Sequence, residues 1–405
     1  MHDRRRFLEG VLGLGAASWA AGLLGSEGAA SAQPAPQGAA KAPPAAAPAK
    51  KLGFALVGLG SLSEHQIAPA LAKTKFCKLS GLVSGHPDKA KAWAQQYGVP
   101  ESSIYDYQSF DRIKDNPDID IVYVVLPNSM HAEFTIRALK AGKHVLCEKP
   151  MATSIADCEA MIAAAKKADR KLMIAYRCHY EPKNLAAMRK VRSGALGKPK
   201  LFVTDMGRQA NVADPSDAWR VDKKLAGSGA LGDMGIYGIS AARYMLNEEP
   251  VEVRAWAHTD LSDPRFKTVD DMIAWQFRFP SGAICNGSTS FDYNATMSFE
   301  LWGEKARLRA DPGAFYGGNK FQMVDGGNFT DMDVPEVDQF AREMDWMGDV
   351  VRGKAPMVSS GEEGMQDMRL ILAILESVAK GGAPVKTDWG YKRAVDPAAV
   401  VDIVA

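Results

Sequence analysis

The chain has 405 residues, 46% of them hydrophobic and 24% charged, which is enough for two globular domains with real cores. Its 49 basic residues are balanced by 48 acidic residues, and the formal net charge is +1. This balance argues against a nucleic-acid-binding protein and against an acidic solvating tail, so the functional information must be local.

Residues 1–32 have the composition of an export signal. Arginines at positions 4–6 precede Phe-Leu, the apolar stretch VLGLGAASWAAGLLG follows, and small residues stand at Ala30 and Ala32. This order is typical of a signal peptide of the twin-arginine pathway. The apolar run is shorter than the about 20 residues that span a bilayer, which disfavours a membrane anchor. We therefore expect export of the folded chain by the twin-arginine machinery, cleavage after Ala32, and a periplasmic protein without stable membrane association.

Residues 33–51, QPAPQGAAKAPPAAAPAKK, are dominated by proline and alanine and contain no aromatic residue. Such a segment cannot bury a core, and we expect an extended tether with polyproline II character. A plain linker is the simpler interpretation. An arm that packs on a partner subunit is the alternative.

Residues 52–178 alternate between short apolar strands and helical segments. The run IDIVYVVLP is almost continuously apolar, as expected of a strand buried on both faces. The other predicted strands are GFALVG, KLSGLVS, HVLCEKP and KLMIAYRC. This alternation predicts an α/β domain with a doubly wound parallel sheet of the Rossmann type.

The stretch VGLGSLS at 57–63 lies where the first strand turns into the first helix. Gly58 permits a tight turn, and Gly60 lets a pyrophosphate approach the backbone near the helix N-terminus. Ser63 replaces the third glycine of the fingerprint and is small enough for close packing. A simple glycine turn is the alternative, but the strand–turn–helix context favours nucleotide binding. The predicted cofactor contacts in this turn are Gly58, Leu59, Gly60, Ser61 and Leu62.

The end of the second strand, VSGHPDK, indicates which nucleotide binds. A site for NAD usually has a carboxylate there to bind the ribose 2′-hydroxyl. This chain has Ser84 and Gly85 instead, followed by Lys89, so nothing at the strand end repels a 2′-phosphate. Asp88 could pair with a neighbouring lysine. The pattern predicts NADP as the cofactor.

Three polar residues are candidates for the chemistry. Lys149, in CEKPMA, follows a predicted strand at the sheet edge where such folds bind ligands. Asp233 and Tyr237 lie in GALGDMGIYGISAARYML, where their i, i+4 spacing puts both on one helix face. A nearby ammonium lowers the pKa of a tyrosine, so Lys149 could make Tyr237 a usable acid–base group. A turn lysine, a helix cap and a core tyrosine are the structural alternatives.

Residues 179–405 change character. VEVRAWAH, MIAWQFRF, AICNGSTSF and MSFELWG read as strands, PSG and GEK as hairpin turns, and ARLRA as a further strand. Helices are predicted at about 336–352 and 360–380. We expect an α+β domain with a large, mostly antiparallel sheet.

The five cysteines are odd in number, irregularly spaced and without a C-x-x-C pair. They indicate buried free thiols rather than a zinc site or a disulfide framework. No His, Cys or carboxylate cluster has metal-ligand spacing, so no metal is expected.

Several motifs resemble the glucose–fructose oxidoreductase branch of the inositol dehydrogenase-like (Gfo/Idh/MocA) oxidoreductases. They are LPNSMHAEFTIRALKAGKHVLCEKPMA, YRCHY, GDMGIYG, GEEGMQDMRLI and DWGY, and the similarity runs from about Gly53 to Tyr391. EKP alone marks the wide family, whereas LPNSMH, YRCHY and GEEGMQD together point to the narrower branch. Aldose–aldose oxidoreductases would share almost the same motifs.

The resemblance implies an enzyme that holds NADP tightly, so that two sugars take turns on one cofactor. One aldose, such as glucose, is oxidised at C1 to a lactone, and fructose or another aldose is reduced to an alditol. The alternatives are an NADP-dependent sugar dehydrogenase with exchangeable cofactor and a non-catalytic nucleotide- or sugar-binding protein. The resemblance also implies a homodimer or homotetramer formed through the C-terminal sheet. The short arm leaves open which of the two forms, and whether the arm covers the cofactor.

The resemblance also assigns roles to particular residues. Tyr237 is the expected general acid/base, Lys149 tunes it, and Asp233 orients Lys149 or holds a sugar hydroxyl. His179 is a further substrate candidate, with a structural histidine as the alternative. The remaining expected cofactor contacts are Tyr107, Leu126, Pro127, Asn128, His131, Glu148, Lys149, Arg177, Trp219, Arg220 and Tyr316.

Overall fold

The computed structural model describes residues 50–402. The predicted signal peptide and all but the last two residues of the predicted arm lie outside the described residues. The first part of the described chain alternates between strands and helices, with a π-helical turn at Ser63–Ile67. Its elements are β1 Leu52–Val57, α1 Ala68–Leu71, β2 Cys77–Val83, α2 Pro87–Tyr97, β3 Ile104–Tyr105, β4 Ile121–Val124, α3 His131–Lys140, β5 His144–Glu148, α4 Ile155–Ala168 and β6 Leu172–Ala175.

The six strands form one parallel sheet in the order β3-β2-β1-β4-β5-β6. This is the strand order of a dinucleotide-binding Rossmann fold, and the predicted class of this half is confirmed. All four residues of β4 are buried, as its apolar run indicates. Ala55 and Val57 of β1 face the core that includes α3 and α4. Phe54 and Leu56 face a second core on the other side of the sheet.

The second part of the described chain contains a nine-stranded sheet and its helices. Leu231–Gly235 forms a second π-helical turn, directly before α8. The elements are α5 Pro182–Arg192, β7 Pro199–Gln209, α6 Pro215–Ala218, α7 Lys223–Ala226, α8 Ile236–Leu246, β8 Glu252–His258, β9 Met272–Arg278, β10 Ile284–Ser290, β11 Asp292–Gly303, β12 Arg307–Ala310, β13 Phe321–Asp325, β14 Asn328–Asp331, α9 Gln339–Val351, α10 Gly361–Ala379, β15 Val385–Lys386 and α11 Pro397–Val400.

The strand order of this sheet is β14-β13-β12-β11-β7-β10-β9-β8-β15. All pairs are antiparallel except β7 with β10, so the predicted mostly antiparallel sheet is confirmed. The hairpins β9–β10 and β11–β12 are also confirmed. Strand β7, which lies between β10 and β11 in the sheet, was not predicted from the sequence. Its residues alternate between buried and half-buried positions and include polar side chains, so it lacks a strong apolar run.

Helix α9 packs on the first sheet although it comes late in the chain. Phe340, Met344 and Met347 join the core that contains Phe54 and Leu56. The carboxylate of Asp345 accepts hydrogen bonds from the backbone N–H groups of residues 75 and 76, at 2.8 and 2.9 Å. The C-terminal segment therefore completes the core of the nucleotide-binding sheet.

The five cysteines are unpaired, and all are buried except Cys178, which is half-buried. Among residues 50–402, no helix combines the length and the apolar character that a membrane span requires. Within the same residues, no group of three or more His, Cys, Asp or Glu side chains is arranged to hold a metal ion.

Candidate active site

A cleft of about 420 Å³ lies at the carboxyl ends of the first sheet's strands. A cavity of this size, in this place, is typical of a ligand site in such folds. Asp233 and Tyr237 line it, and Gly85 and His179 do not. The predicted cofactor residues that line it are Gly58, Leu59, Gly60, Ser61, Leu62, Ser84, Lys89, Tyr107, Leu126, Pro127, Asn128, His131, Glu148, Lys149, Arg177, Trp219, Arg220 and Tyr316.

The glycine turn fits a dinucleotide. Gly58 has φ +94°, and a Cβ atom there would lie 2.2 Å from the carbonyl oxygen of Val125. A Cβ at Gly60 would meet no atom within 4 Å, so the backbone is open to the cleft. Ser63, at the third glycine position, is fully buried and donates a 2.6 Å hydrogen bond to Gly58 O. The serine therefore holds the turn closed and leaves its open side for a pyrophosphate.

The ribose end of the cleft contains Ser84, Lys89 and Tyr107. Gly85 lies behind this wall, where a Cβ atom would stand 3.1 Å from the Tyr107 ring. The ammonium of Lys89 lies 2.7 Å from a carboxylate oxygen of Glu64. The acidic partner of this lysine is therefore Glu64 and not its sequence neighbour Asp88.

Asn128 and His131, which follow β4 in the chain, help to build the wall of the cleft. The ring nitrogens of His131 lie 2.8 Å from Leu126 O and 2.9 Å from Pro150 O. The amide of Asn128 donates to Ala226 O at 2.9 Å. Both side chains are buried and already bonded to backbone carbonyls, so they shape the wall as well as lining it.

Lys149, Asp233 and Tyr237 come together at the floor of the cleft. The ammonium of Lys149 donates to the backbone oxygen of Asp233 at 2.7 Å and lies 3.5 Å from its carboxylate. The same nitrogen lies 4.6 Å from the centre of the Tyr237 ring. Asp233 lies in the π-helical turn, a geometry often found at functional sites. The three side chains that the sequence spacing grouped together are therefore close together in the structure.

Asp233 is surrounded by cations. Its carboxylate lies 3.1 Å from Arg220, and 3.5 Å from both Lys149 and Arg208. Burial raises the pKa of Asp233, but Arg220, Lys149 and Arg208 outweigh burial and hold the pKa well below its usual range. Asp233 is therefore ionised at neutral pH and can accept a hydrogen bond from a hydroxyl group.

The pKa of Tyr237 differs from the expectation, which was that Lys149 lowers it. Burial raises the pKa of Tyr237 above its ordinary value, and the cation that opposes this most is Arg177. The guanidinium carbon of Arg177 lies 4.8 Å from the centre of the Tyr237 ring. Tyr237 is therefore a neutral phenol at neutral pH. The expectation failed because burial cannot be read from the spacing of the residues.

Arg177 is held in place by hydrogen bonds on its other side. Its guanidinium donates to Gln339 Oε1 and to Ala314 O, both at 2.6 Å. It also lies 4.6 Å from the centre of the Tyr316 ring. These contacts fix one cation between Tyr237 and Tyr316, both of which line the cleft.

Glu148 belongs to a buried cluster of acidic residues, of which only Glu148 was predicted from the sequence. The hydroxyl of Tyr123 donates to Glu148 Oε1 at 2.8 Å. Glu343, on α9, is fully buried, and neither of its carboxylate oxygens has a hydrogen-bond partner in the described structure. Burial raises the pKa of both carboxyl groups. Glu343 was missed because it is far from Glu148 in the chain.

Arg208 and Asp217 were also missed. Arg208, near the end of β7, donates to both oxygens of Asp217 at 2.5 and 2.8 Å. Asp217 also accepts from Arg220 at 3.2 Å and from the backbone N–H of Asn211 at 2.8 Å. These bonds hold the segment that carries Trp219 and Arg220 over the cleft. Because β7 was not predicted, no position could be assigned to Arg208 from the sequence.

Two of the family motifs, GEEGMQD and DWGY, contribute to a buried ionic network behind the cleft. The fully buried Arg243 lies 2.5 Å from Asp367, 3.0 Å from Glu363 and 2.7 Å from Glu249. The hydroxyl of Tyr391 donates to Glu363 as well. The motifs GEEGMQD and DWGY thus supply structural groups rather than groups at the floor of the cleft.

His179 lies between this network and the site. Its ring is 3.7 Å from that of Tyr244, whose hydroxyl donates to the network at 2.8 Å. Its Nε2 lies 3.2 Å from Ser240 Oγ, and its Nδ1 has no partner within residues 50–402. It faces a cavity of about 20 Å³ that Lys149 and Tyr237 also line. His179, the predicted substrate contact, therefore faces Lys149 and Tyr237 only across this small cavity.

The Rossmann sheet, its glycine turn and the lysine–aspartate–tyrosine group together define a nucleotide-dependent oxidoreductase. Residues 52–176 match the model of an oxidoreductase family with an NAD-binding Rossmann fold, and residues 184–309 match that of a GFO/IDH/MocA C-terminal domain. The chain belongs to the GFO/IDH/MocA family of NAD(P)-dependent sugar oxidoreductases, as the sequence motifs indicated.

Similar proteins act on sugars. The chain is 44% identical to the aldose-aldose oxidoreductase of Caulobacter crescentus, solved with glycerol, with a TM-score of 0.80 over 83% of this chain and all of that one. It is 30% identical to D-xylose 1-dehydrogenase [NADP(+)] of Haloarcula marismortui, over 80% of this chain and 90% of the relative. A levoglucosan dehydrogenase solved with NADH and levoglucosan is 25% identical, with a TM-score of 0.72 over 84% of this chain and all of that one.

Proposed function

We propose that this protein is a periplasmic sugar oxidoreductase that retains NADP and passes a hydride between two sugars. An aldose such as glucose is oxidised at C1 to a lactone, and a second sugar, fructose or another aldose, is reduced to an alditol. The observation that carries the proposal is the Lys149–Asp233–Tyr237 group at the floor of the nucleotide cleft. The 44% identity with an aldose-aldose oxidoreductase supports the choice of substrates.

The nucleotide supplies the hydride acceptor and donor when bound. Tyr237, a neutral phenol, gives its proton to the sugar oxygen during reduction and takes one back during oxidation. Lys149 donates a hydrogen bond to the same oxygen and offsets its developing negative charge. Its bond to Asp233 O holds the ammonium in place. The ionised carboxylate of Asp233 accepts a second sugar hydroxyl and so orients the reacting carbon.

NADP is the proposed cofactor because Ser84 and Lys89 line the ribose end of the cleft and no carboxylate occupies the end of β2. Its retention is supported by the segment that Asp217 fixes beside Arg208, since this segment places Trp219 and Arg220 against the cleft. A dehydrogenase that exchanges its cofactor is the second candidate. The relative solved with NADH shows that the family also uses NADH.

The test is to add single sugars to the purified protein without adding nucleotide. We expect a bound nicotinamide whose absorbance at 340 nm rises with glucose or another aldose and falls again with fructose or a second aldose. Absorbance that changes only when NADP is supplied would favour the exchanging dehydrogenase. Protein that is purified without nicotinamide and is inactive on all sugars would contradict the proposal.

Export by the twin-arginine pathway is part of the proposal and rests on residues 1–32. An exported enzyme meets little free NADP, which is the physical reason to retain it. We expect the mature protein in the periplasmic fraction to begin at Gln33. N-terminal sequencing checks this, and a periplasmic protein that begins at Met1 would contradict cleavage.

We also propose self-association, as a dimer or tetramer, through the open face of the nine-stranded sheet. Trp256 and Ile284 are 55% and 38% exposed there, beside Arg254 and Asn286. Exposed large apolar side chains on a sheet face are typical of subunit contacts.

A further inference from the structure

The ion pair between Glu64 and Lys89 lies at the ribose end of the cleft. Lys89 is on α2, which follows the end of β2, where the fold receives the adenosine ribose. Glu64 is on the π-helical turn that follows the glycines. Their charged atoms are 2.7 Å apart, and the side chains are 34% and 46% exposed. The ion pair therefore lies at the rim of the cleft, where a binding nucleotide would contact it.

Lys89 is the cation of this part of the cleft. The other described residues that line the ribose end are Ser84, His86 and Tyr107. The ammonium also lies 5.5 Å from the ring of Trp93, on the same helix. A 2′-phosphate that binds here would approach Lys89, whose positive charge is already neutralised by the carboxylate of Glu64.

Glu64 and a 2′-phosphate would compete for the same ammonium. Lysine has three N–H donors and can contact both groups, but each contact brings two negative charges close together. A ribose 2′-hydroxyl carries no charge and has no such conflict. The carboxylate of Glu64 would therefore weaken the binding of NADP and leave the binding of NAD almost unchanged.

We propose that Glu64 is a specificity-determining residue, which competes with the 2′-phosphate for Lys89 and narrows the preference of this chain for NADP over NAD. The inference rests on the proposed function, in which NADP is the nucleotide. The relatives named with NADP(+) and with NADH show that both nucleotides occur in the family. One lysine that is already paired with a carboxylate discriminates only moderately between NADP and NAD.

The test measures which nucleotide the full-length protein takes up. The wild type and the Glu64→Gln, Lys89→Met and double variants are first freed of retained nucleotide and are then incubated in an equimolar mixture of NADP and NAD until the bound ratio is constant. Desalted protein is then acidified, and the released nucleotides are quantified by mass spectrometry. Glu376→Gln is the matched control, because its carboxylate also pairs with an exposed lysine, Lys380, but on α10.

We expect Glu64→Gln to raise the bound NADP:NAD ratio by about three- to tenfold. Lys89→Met should lower the ratio, and the double variant should match Lys89→Met, because Glu64 acts through Lys89. Glu376→Gln should match the wild type. A ratio for Glu64→Gln that is within twofold of the wild type, or that moves toward NAD, overturns the inference while the NADP assignment stands. A silent Lys89→Met also overturns the inference, because Glu64 is proposed to act through Lys89. A wild type that takes up NAD alone overturns both the inference and the NADP assignment.

Discussion

Replacing Tyr237 with phenylalanine is expected to lower kcat by about 10²- to 10⁴-fold while the nucleotide stays bound. The hydroxyl is the proposed proton donor and acceptor, whereas the ring, which lies 4.6 Å from Lys149 and 4.8 Å from Arg177, is retained by phenylalanine. Single-turnover absorbance at 340 nm after sugar addition measures the chemical step directly. The nicotinamide content of the purified variant, by mass spectrometry, measures retention.

Tyr293→Phe is the matched control for this experiment. Its hydroxyl donates to Ser288 at 3.2 Å on the nine-stranded sheet, outside the cleft, so turnover should be unchanged. Near-normal turnover in Tyr237→Phe would contradict its role as acid–base group. Loss of both turnover and nicotinamide would mean that the residue holds the nucleotide rather than moving a proton.

Replacing Arg243 with methionine is expected to lower the free energy of unfolding by about 3–5 kcal/mol. Arg243 is fully buried and pairs with Asp367, Glu363 and Glu249. Its removal leaves buried carboxylates without their main cation, and a buried charge without a partner costs several kcal/mol. Urea unfolding followed by circular dichroism measures the change.

Arg278→Met is the control for stability, since Arg278 is 60% exposed and pairs with Glu252 at 3.3 Å. An exposed ion pair contributes about 1 kcal/mol or less. Adding Asp367→Leu to Arg243→Met should recover part of the loss, because the double change also removes a stranded carboxylate. A loss below about 1 kcal/mol in Arg243→Met would show that the network is not a main source of stability.

Local patterns in the sequence were enough to predict most of the nucleotide half. Gly58 and Gly60 have distinctive roles in a strand–turn–helix unit, and their geometry follows from chain order alone. Lys149, Asp233 and Tyr237 could be proposed as one candidate site because each belongs to a short recognisable motif, and the structure places them close together. The fold class followed from the same patterns, since strands and helices alternate in one half and strands dominate the other.

The rest of the site depends on contacts between distant segments. Arg208 reaches Asp233 only because β7 is central in the second sheet, and Glu343 joins Glu148 only because α9 returns to the first sheet. The raised pKa of Tyr237 has the same origin, since burial is a property of the assembled core. Sequence spacing carries none of this information.

The position of α9 has a consequence for synthesis on the ribosome. One face of the nucleotide-binding sheet is covered by Phe340, Met344 and Met347, which are translated long after its six strands. Until they emerge, Phe54 and Leu56 lack part of their apolar cover, and the sheet cannot reach its final stability as an independent nascent domain. The nucleotide cleft, which Tyr316 and Phe340 also line, is then complete only after almost the whole chain has been made. Under the proposed export of the folded chain, translation must be nearly complete before transport can begin.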